Sequence, residues 1–507
     1  MLAPFVAATG AVTVWALGWR GSDVPTWLYR VELFRSHGWM IWDSHWYGGH
    51  YLLPYSVLFP AVGAVVGLYG AAALCAAAAA GAFDRLLRSE FGSKATAASV
   101  VFALGTLVPV TIGQYGFLGG EAVGLLALLA AQRGRPVVAS SLAALCGLLS
   151  PAAGALLIIA FFSWTIARPR DKRLAMLGPC VASALPLLVL GVAFPEPGRF
   201  PFWGSEFIVV MAICGVGLLV VPGHQRVLRV GLVIYSATAI LVFVIGNPLG
   251  GNLGRLAEGF APAMALATAL RYRYRLLGVL VLPLLIWQAS PALAVVRAGA
   301  QDPSRQERYS QPLLRYLARQ HTIGRLEIPF TLNHWESAFV APHVPLARGW
   351  ERQLDMVDNP IFYAEQPLTA ARYRAWLVDY GVRWVALPDV ALDYSARAEA
   401  RLLKSNLTYL KPVWHSQHWR VWEVRRSPGI LTGPARLVSL DPDHFVLDAT
   451  TAGTNTLRIR YTSTWTITAG NACIREAARH WTEVVAMAPG RIEVTASLFP
   501  HERQCTG

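Results

Sequence analysis

"RVELFRSHGWMIWDSHWYGGHYLLPYS" (residues 30–56) follows the first apolar segment of a 507-residue chain. It carries three Trp, three His, Glu32, Asp43, the Gly48-Gly49 pair and Pro54, in a sequence that is 54% hydrophobic and only 15% charged. Soluble domains average about 25% charged residues, so the composition points to a membrane protein. This stretch is a polar, aromatic island between apolar segments.

Outward from the island, the long apolar runs fill residues 1–296, while 297–507 read as ordinary soluble sequence. A helix needs roughly 20 apolar residues to cross a bilayer, with shorter ones tolerated inside bundles. The segments 3–19, 57–82, 95–112, 116–131, 136–149, 152–168, 174–194, 206–222, 230–246, 256–270 and 276–296 predict a polytopic α-helical membrane protein with about 11 transmembrane helices. Every second connection is basic: Arg85, Arg88 and Lys94; Arg133 and Arg135; Arg168, Arg170, Lys172 and Arg173; Arg226 and Arg229; Arg271, Arg273 and Arg275. The positive-inside rule puts these in the cytoplasm, with the N-terminus inside and the island and the C-terminal half outside the cytoplasmic membrane. The net charge of +14 is accounted for largely by such clusters, and no nucleic-acid motif accompanies it. The first segment lacks a small-residue cleavage site and reads as an anchor.

The opposite connections are rich in Gly, Pro and aromatics, and carry Glu121, Glu196, Arg199, Glu206, Asn252, Arg255 and Glu258. Polar side chains gathered on one side of apolar helices suggest a cavity opening outward.

Within the first of these connections, Ser22 or Asp23 with Pro25 gives a helix start and Gly38 a stop. The segment between is amphipathic, with Arg30, Glu32 and Arg35 on its polar side, as at a membrane interface. Asp23 has two readings: a helix N-cap, or a catalytic carboxylate at the membrane surface. The Trp residues anchor readily at headgroup level. Asp43 and His45 form an Asp-x-His pair, a weak metal signal, and Gly48-Gly49 marks a tight turn.

The island resembles the first extracytoplasmic loop of a bacterial membrane-protein family labelled as related to 6-pyruvoyl-tetrahydropterin synthase, an inherited name that is not an activity. With the YfhO-like proteins, that group is similar to the GT-C glycosyltransferases. Trp42, Trp46, Tyr47, Gly48 and Gly49 match its aromatic-glycine turn, and Asp23 matches its acidic residue. Asp43-Ser44-His45 departs from the usual Asn-Pro-x. The resemblance implies an inverting glycosyltransferase with Asp23 as catalytic base, a polyprenyl-phosphate sugar as donor, and an envelope glycan or lipid as acceptor.

Such a transfer needs a carboxylate to take the acceptor's proton and cations to hold the departing phosphate. Arg255, in "GNLGRL", is the leading phosphate candidate, with Arg199 and Arg30 as further ones. A snorkelling Arg at a helix end is the plainer reading of Arg255. Glu32, Asp43, His45, Trp46, Tyr47, Glu196 and Asn252 are candidate cavity or substrate contacts. No cofactor is specified. Some GT-C enzymes use a divalent cation, but no Asp-x-Asp pair occurs in these loops, and the metal is left open.

Residues 297–430 alternate helical and strand patterns, predicting an extracytoplasmic α/β domain. Short strands from 435 predict a β-sandwich over 431–507. His334, Trp335 and Trp350 sit in the patch best suited to an acceptor sugar. Cys473 and Cys505, the only Cys of this half, could pair outside the cell. Two other readings stay beside the transferase: a transporter or flippase of envelope lipids, and a non-catalytic glycan-binding envelope protein.

Overall fold

A computed structural model describes residues 2–196, 198–272, 274–500 and Cys505. Arg273 of the last basic connection lies outside the described residues. The chain forms two compact units: residues 1–27 with 54–300, and residues 28–53 with 301–507.

The first unit is helical. In chain order it contains α1 (Leu2–Ala16), the start of α2 (Val24–His37), α3 (Phe59–Val66), α4 (Leu68–Phe91), α5 (Thr96–Gly105), α6 (Leu107–Ile112) and α7 (Tyr115–Gln132). Then come α8 (Pro136–Leu149), α9 (Pro151–Ala167), α10 (Arg170–Ala193), α11 (Gly204–Val220), α12 (Arg226–Val244), α13 (Gly254–Tyr272) and α14 (Arg275–Gly299). Among the described residues, five helical stretches are long and apolar enough to cross a membrane: Leu68–Ile112, Tyr115–Gln132, Met176–Ala193, Arg226–Val244 and Leu277–Gly299. Four shorter apolar helices, α1, α8, α9 and α11, accompany them. Of the expected segments, 57–82 is broken at Gly67 and 95–112 after Gly105, and both fall largely in the stretch Leu68–Ile112, while 256–270 lies in α13, outside these nine.

Small residues let the helices approach closely. Ala3, Ala7 and Ala11 of α1 share one buried cluster with Ala76 and Ala80 of α4. Large apolar side chains point outward instead: Leu219 is 86% exposed and Val192 82%. Such an apolar exterior suits lipid and not water.

The second unit contains α15 (Glu307–Ala318), α16 (Glu336–Phe339), α17 (Arg352–Asp358), α18 (Ala370–Asp379) and α19 (Arg397–Leu403). Residues 28–53 supply the hairpin β1 (Trp42–Asp43) and β2 (His50–Tyr51), pairing Trp42 with Tyr51 and Asp43 with His50. β3 (Arg325–Glu327), β4 (Val382–Pro388), β5 (Leu410–His415) and β6 (Trp419–Val424) form a mixed sheet in the order β3-β4-β6-β5, with β3 and β4 parallel. Eight further strands follow: β7 (Leu431–Thr432), β8 (Ala435–Leu440), β9 (His444–Ala449), β10 (Gly453–Arg460), β11 (Trp465–Ala469), β12 (Ala472–Glu476), β13 (Trp481–Ala486) and β14 (Gly490–Ala496). They make two antiparallel sheets, β12-β13-β10-β7 and β11-β14-β9-β8. A disulfide joins Cys473 to Cys505.

The island is part of this unit's core. Tyr29, Leu33, Met40, Trp46, Tyr47 and Leu52 pack in one cluster with Leu313, Leu326, Trp384 and Trp419. Its glycine pair is required by the backbone: Tyr47, Gly48 and Gly49 have φ of 59°, 77° and 138°. A side chain at Gly49 would collide with the Trp42 indole.

Candidate functional site

The first unit holds a small cavity of about 30 Å³ whose walls come from α5, α6, α7, α13 and α14. Its polar lining is Thr106, Gln114, Glu121, Arg255, Glu258 and Gln288. Arg255 enters from the first turn of α13, its guanidinium 4.8 Å from the centre of the Phe117 ring. The carboxylates of Asp23, Glu258 and Glu206 act electrostatically on that cation. Among the described residues, no carboxylate oxygen lies within ion-pairing distance of it.

Asp23 is buried and immediately precedes α2, the N-cap position. It is pinned by its backbone, since its N–H donates to the carbonyl of Ile112 at 3.0 Å. Two glycines permit that approach. A side chain at Gly21 would collide with the Ile112 carbonyl, and one at Gly113, where φ is 98°, with the Val24 backbone. Ser22 donates to the Asp23 carboxylate at 3.1 Å. Beside this segment, Arg20 stands 5.5 Å over the Tyr69 ring, and the Asp23 and Arg20 charges both act on Tyr115.

The glycines before Arg255 do more than leave backbone open. A side chain at Gly250 would collide with the Phe200 carbonyl, and one at Gly254 with the Glu206 carboxylate. Asn252 is half-buried in the 3-10 turn Gly250–Leu253. Glu196 is half-buried, and Arg199 is exposed, its side chain running along Gly246.

The remaining sequence candidates belong to the second unit. Arg30 is 2% exposed; it pairs with Glu351 and donates to the Leu52 carbonyl at 3.1 Å. Asp43 is fully buried, accepting from the Tyr29 hydroxyl at 2.9 Å and the His45 N–H at 2.8 Å. Burial raises the Asp43 carboxyl above the usual carboxylate range, against the pull of His45, Tyr29 and Arg30. His45 Nδ1 lies 2.7 Å from the Ala341 carbonyl. Trp46 stacks on Tyr29 at 4.6 Å, and the Tyr47 hydroxyl donates to the Glu351 carbonyl at 3.0 Å. The sequence marks Arg30 as a candidate for the donor phosphate and Asp43, His45, Trp46 and Tyr47 as candidate cavity or substrate contacts. Within their unit they are buried core, because the island folds between segments that come from far along the chain. Glu32 alone faces solvent, 3.9 Å from Arg35.

Of the acceptor candidates, Trp335 is 1% exposed and stacks on Phe339. His334 is buried with a left-handed φ of 57°. Half-buried Trp350 has its ring 5.4 Å from that of His334. Among the described residues, no group of three His, Cys, Asp or Glu side chains is placed to hold a metal ion.

Two features went unnoticed in the sequence. Gln288 is a lone amide in the apolar run "VLVLPLLIWQAS" (279–290), a signal in itself. The other left no local signal. Arg348 is buried between the Phe330 and Phe362 rings, at 3.9 and 4.0 Å. It binds Asp355 through two nitrogens, at 3.2 and 2.6 Å, with Glu399 at 3.7 Å and Glu327 at 4.0 Å.

No protein-family model matches the chain, and no curated protein matches it. Among solved structures, it is similar to the arabinofuranosyltransferase AftD from Mycobacteria, determined by single-particle cryo-EM, with 16% identity and a TM-score of 0.42. The alignment covers 88% of this chain and 41% of that one, so the chain spans well under half of its structural neighbour.

Proposed function

We propose that the chain is a GT-C-like membrane glycosyltransferase. In this reading it transfers a sugar from a polyprenyl-phosphate donor to an envelope glycan or lipid on the outer side of the cytoplasmic membrane. One observation carries the reading: the Arg255 guanidinium stands in the wall of a polar cavity inside an apolar helical unit, with no ion-paired carboxylate among the described residues and with Asp23 among the charges acting on it. A cation so placed suits an anionic ligand, and a phosphate carried on a lipid tail is the ligand proposed.

The chemistry is a displacement at the sugar's anomeric carbon. The acceptor oxygen forms the new bond while the bond to the phosphate oxygen breaks, and the phosphate leaves with that electron pair. Asp23 takes the acceptor's proton, and Arg255 holds the charge developing on the phosphate. Arg199 and Asn252 are proposed to line the approach, and Trp350 beside His334 to contact the acceptor.

Glu121 and Glu258 in the cavity wall favour a second reading, a transporter or flippase of envelope lipids, because acids within a membrane often mark transport paths. Purified protein in lipid, offered a panel of polyprenyl-phosphate sugars and membrane-extract acceptors, separates the two. Sugar transfer by the wild type that Asp23→Ala abolishes supports the transferase. Movement of the lipid across the bilayer without transfer supports the other.

A further inference from the structure

Pro262 lies inside α13. Lacking an N–H, it cannot donate to the carbonyl of Glu258 one turn earlier. In an apolar helical unit such an unmet acceptor is costly. The gap is filled from α14: Gln288 Nε2 donates to the Glu258 carbonyl at 2.6 Å, with the Gly259 carbonyl at 3.4 Å.

The surroundings are shaped for this contact. Gln288 is only 4% exposed. A Cβ on Gly105 of α5 would lie 2.5 Å from the same amide nitrogen, so the glycine leaves the amide its place. The device recurs in α14 itself. Pro291 denies the Trp287 carbonyl its helix partner, and the Ser290 hydroxyl donates there at 2.8 Å.

We infer that Gln288 is a positioning residue: its amide replaces the hydrogen bond that Pro262 removes and so fixes the turn that presents Arg255 and Glu258 to the cavity. All four of Arg255, Glu258, Gly259 and Gln288 line that cavity. Without the amide, the proline-weakened turn has no donor for its carbonyl, and the Arg255 guanidinium loses its fixed height over Phe117. The inference rests on reading Arg255 as the phosphate-holding cation.

The test is a double-mutant cycle on the full-length protein in lipid nanodiscs. Gln288→Leu keeps the bulk and removes the donor. Pro262→Ala gives the Glu258 carbonyl back its main-chain partner. For each variant the melting temperature is measured, together with the affinity for a polyprenyl monophosphate. Gln288→Leu alone should lower the melting temperature and weaken lipid-phosphate binding about tenfold, the effect of one buried acceptor left unmet. Pro262→Ala with Gln288→Leu should recover both. Gln288→Leu that fails to fold, beside a double variant that folds, supports the inference equally. Equal losses with and without Pro262, or a double variant that also fails to fold, would overturn it. Wild-type protein that binds no polyprenyl monophosphate would reject the phosphate reading of Arg255, and the melting comparison alone would then decide the pairing of Gln288 with Pro262.

Discussion

The Asp23 charge acts on the Arg255 cation, although one precedes α2 and the other opens α13. Under the proposed function, Asp23 would take the acceptor's proton while Arg255 holds the departing phosphate. Asp23→Asn should lower sugar transfer about 10²- to 10⁴-fold, the range of a lost general base, with little change in melting temperature. Arg255→Lys should retain part of the donor affinity, because the charge remains while the planar face over Phe117 is lost.

The second unit should lose stability as pH rises. Arg348, Asp355 and the Tyr373 hydroxyl face Glu399, and Glu327 lies close by. Burial pushes the Glu399 carboxyl up to about 7, against the pull of Arg348, Tyr373 and Glu327, and burial together with the Glu399 charge raises Glu327. The folded unit therefore binds these protons more tightly than the unfolded chain does. The contribution is full below the ordinary value of 4.5 and is lost as pH rises through about 7. Melting followed across that window should show the decline, and Glu327→Gln should flatten it.

Gly49→Ala should disrupt the second unit. At φ 138° a side chain is strained by about 1–3 kcal/mol, and here it also meets the Trp42 ring. Reduced yield and early protease cleavage of the second unit, with α-helical content retained, would be the readout.

Reduction should weaken the terminal strands. Cys473 and Cys505 are 32 residues apart, a loop whose closure is worth about 3–4 kcal/mol in the chain-entropy model. Cys505→Ser should lower the melting temperature of the second unit, and a reducing agent should do the same to the wild type.

Much of this architecture was legible in the sequence, because lipid and strand pleats impose short periods. Apolar runs located α4, α7, α12 and α14, and Gly, Asn and Asp turns located the strands after residue 435. Arg255 stood out as a charge beside glycines in an apolar context. The fate of the island did not. Its partner Glu351 lies more than half the chain away in sequence, and Arg30, Asp43 and His45 look the same whether they line a cavity or satisfy one another in a core. The Arg348 cluster was equally hidden, since its carboxylates come from β3, α17 and α19, each unremarkable alone. Gln288 gained meaning only when α14 was seen beside the Pro262 turn of α13.

The most direct test separates binding from transfer at the two central residues. Affinity for a polyprenyl monophosphate and turnover of its glycosylated form would be measured for wild type, Asp23→Asn and Arg255→Gln. The account predicts that Asp23→Asn binds the lipid phosphate as wild type does yet transfers sugar about 10²- to 10⁴-fold more slowly, while Arg255→Gln loses binding. Unchanged lipid-phosphate binding in Arg255→Gln, or full transfer by Asp23→Asn, would contradict it.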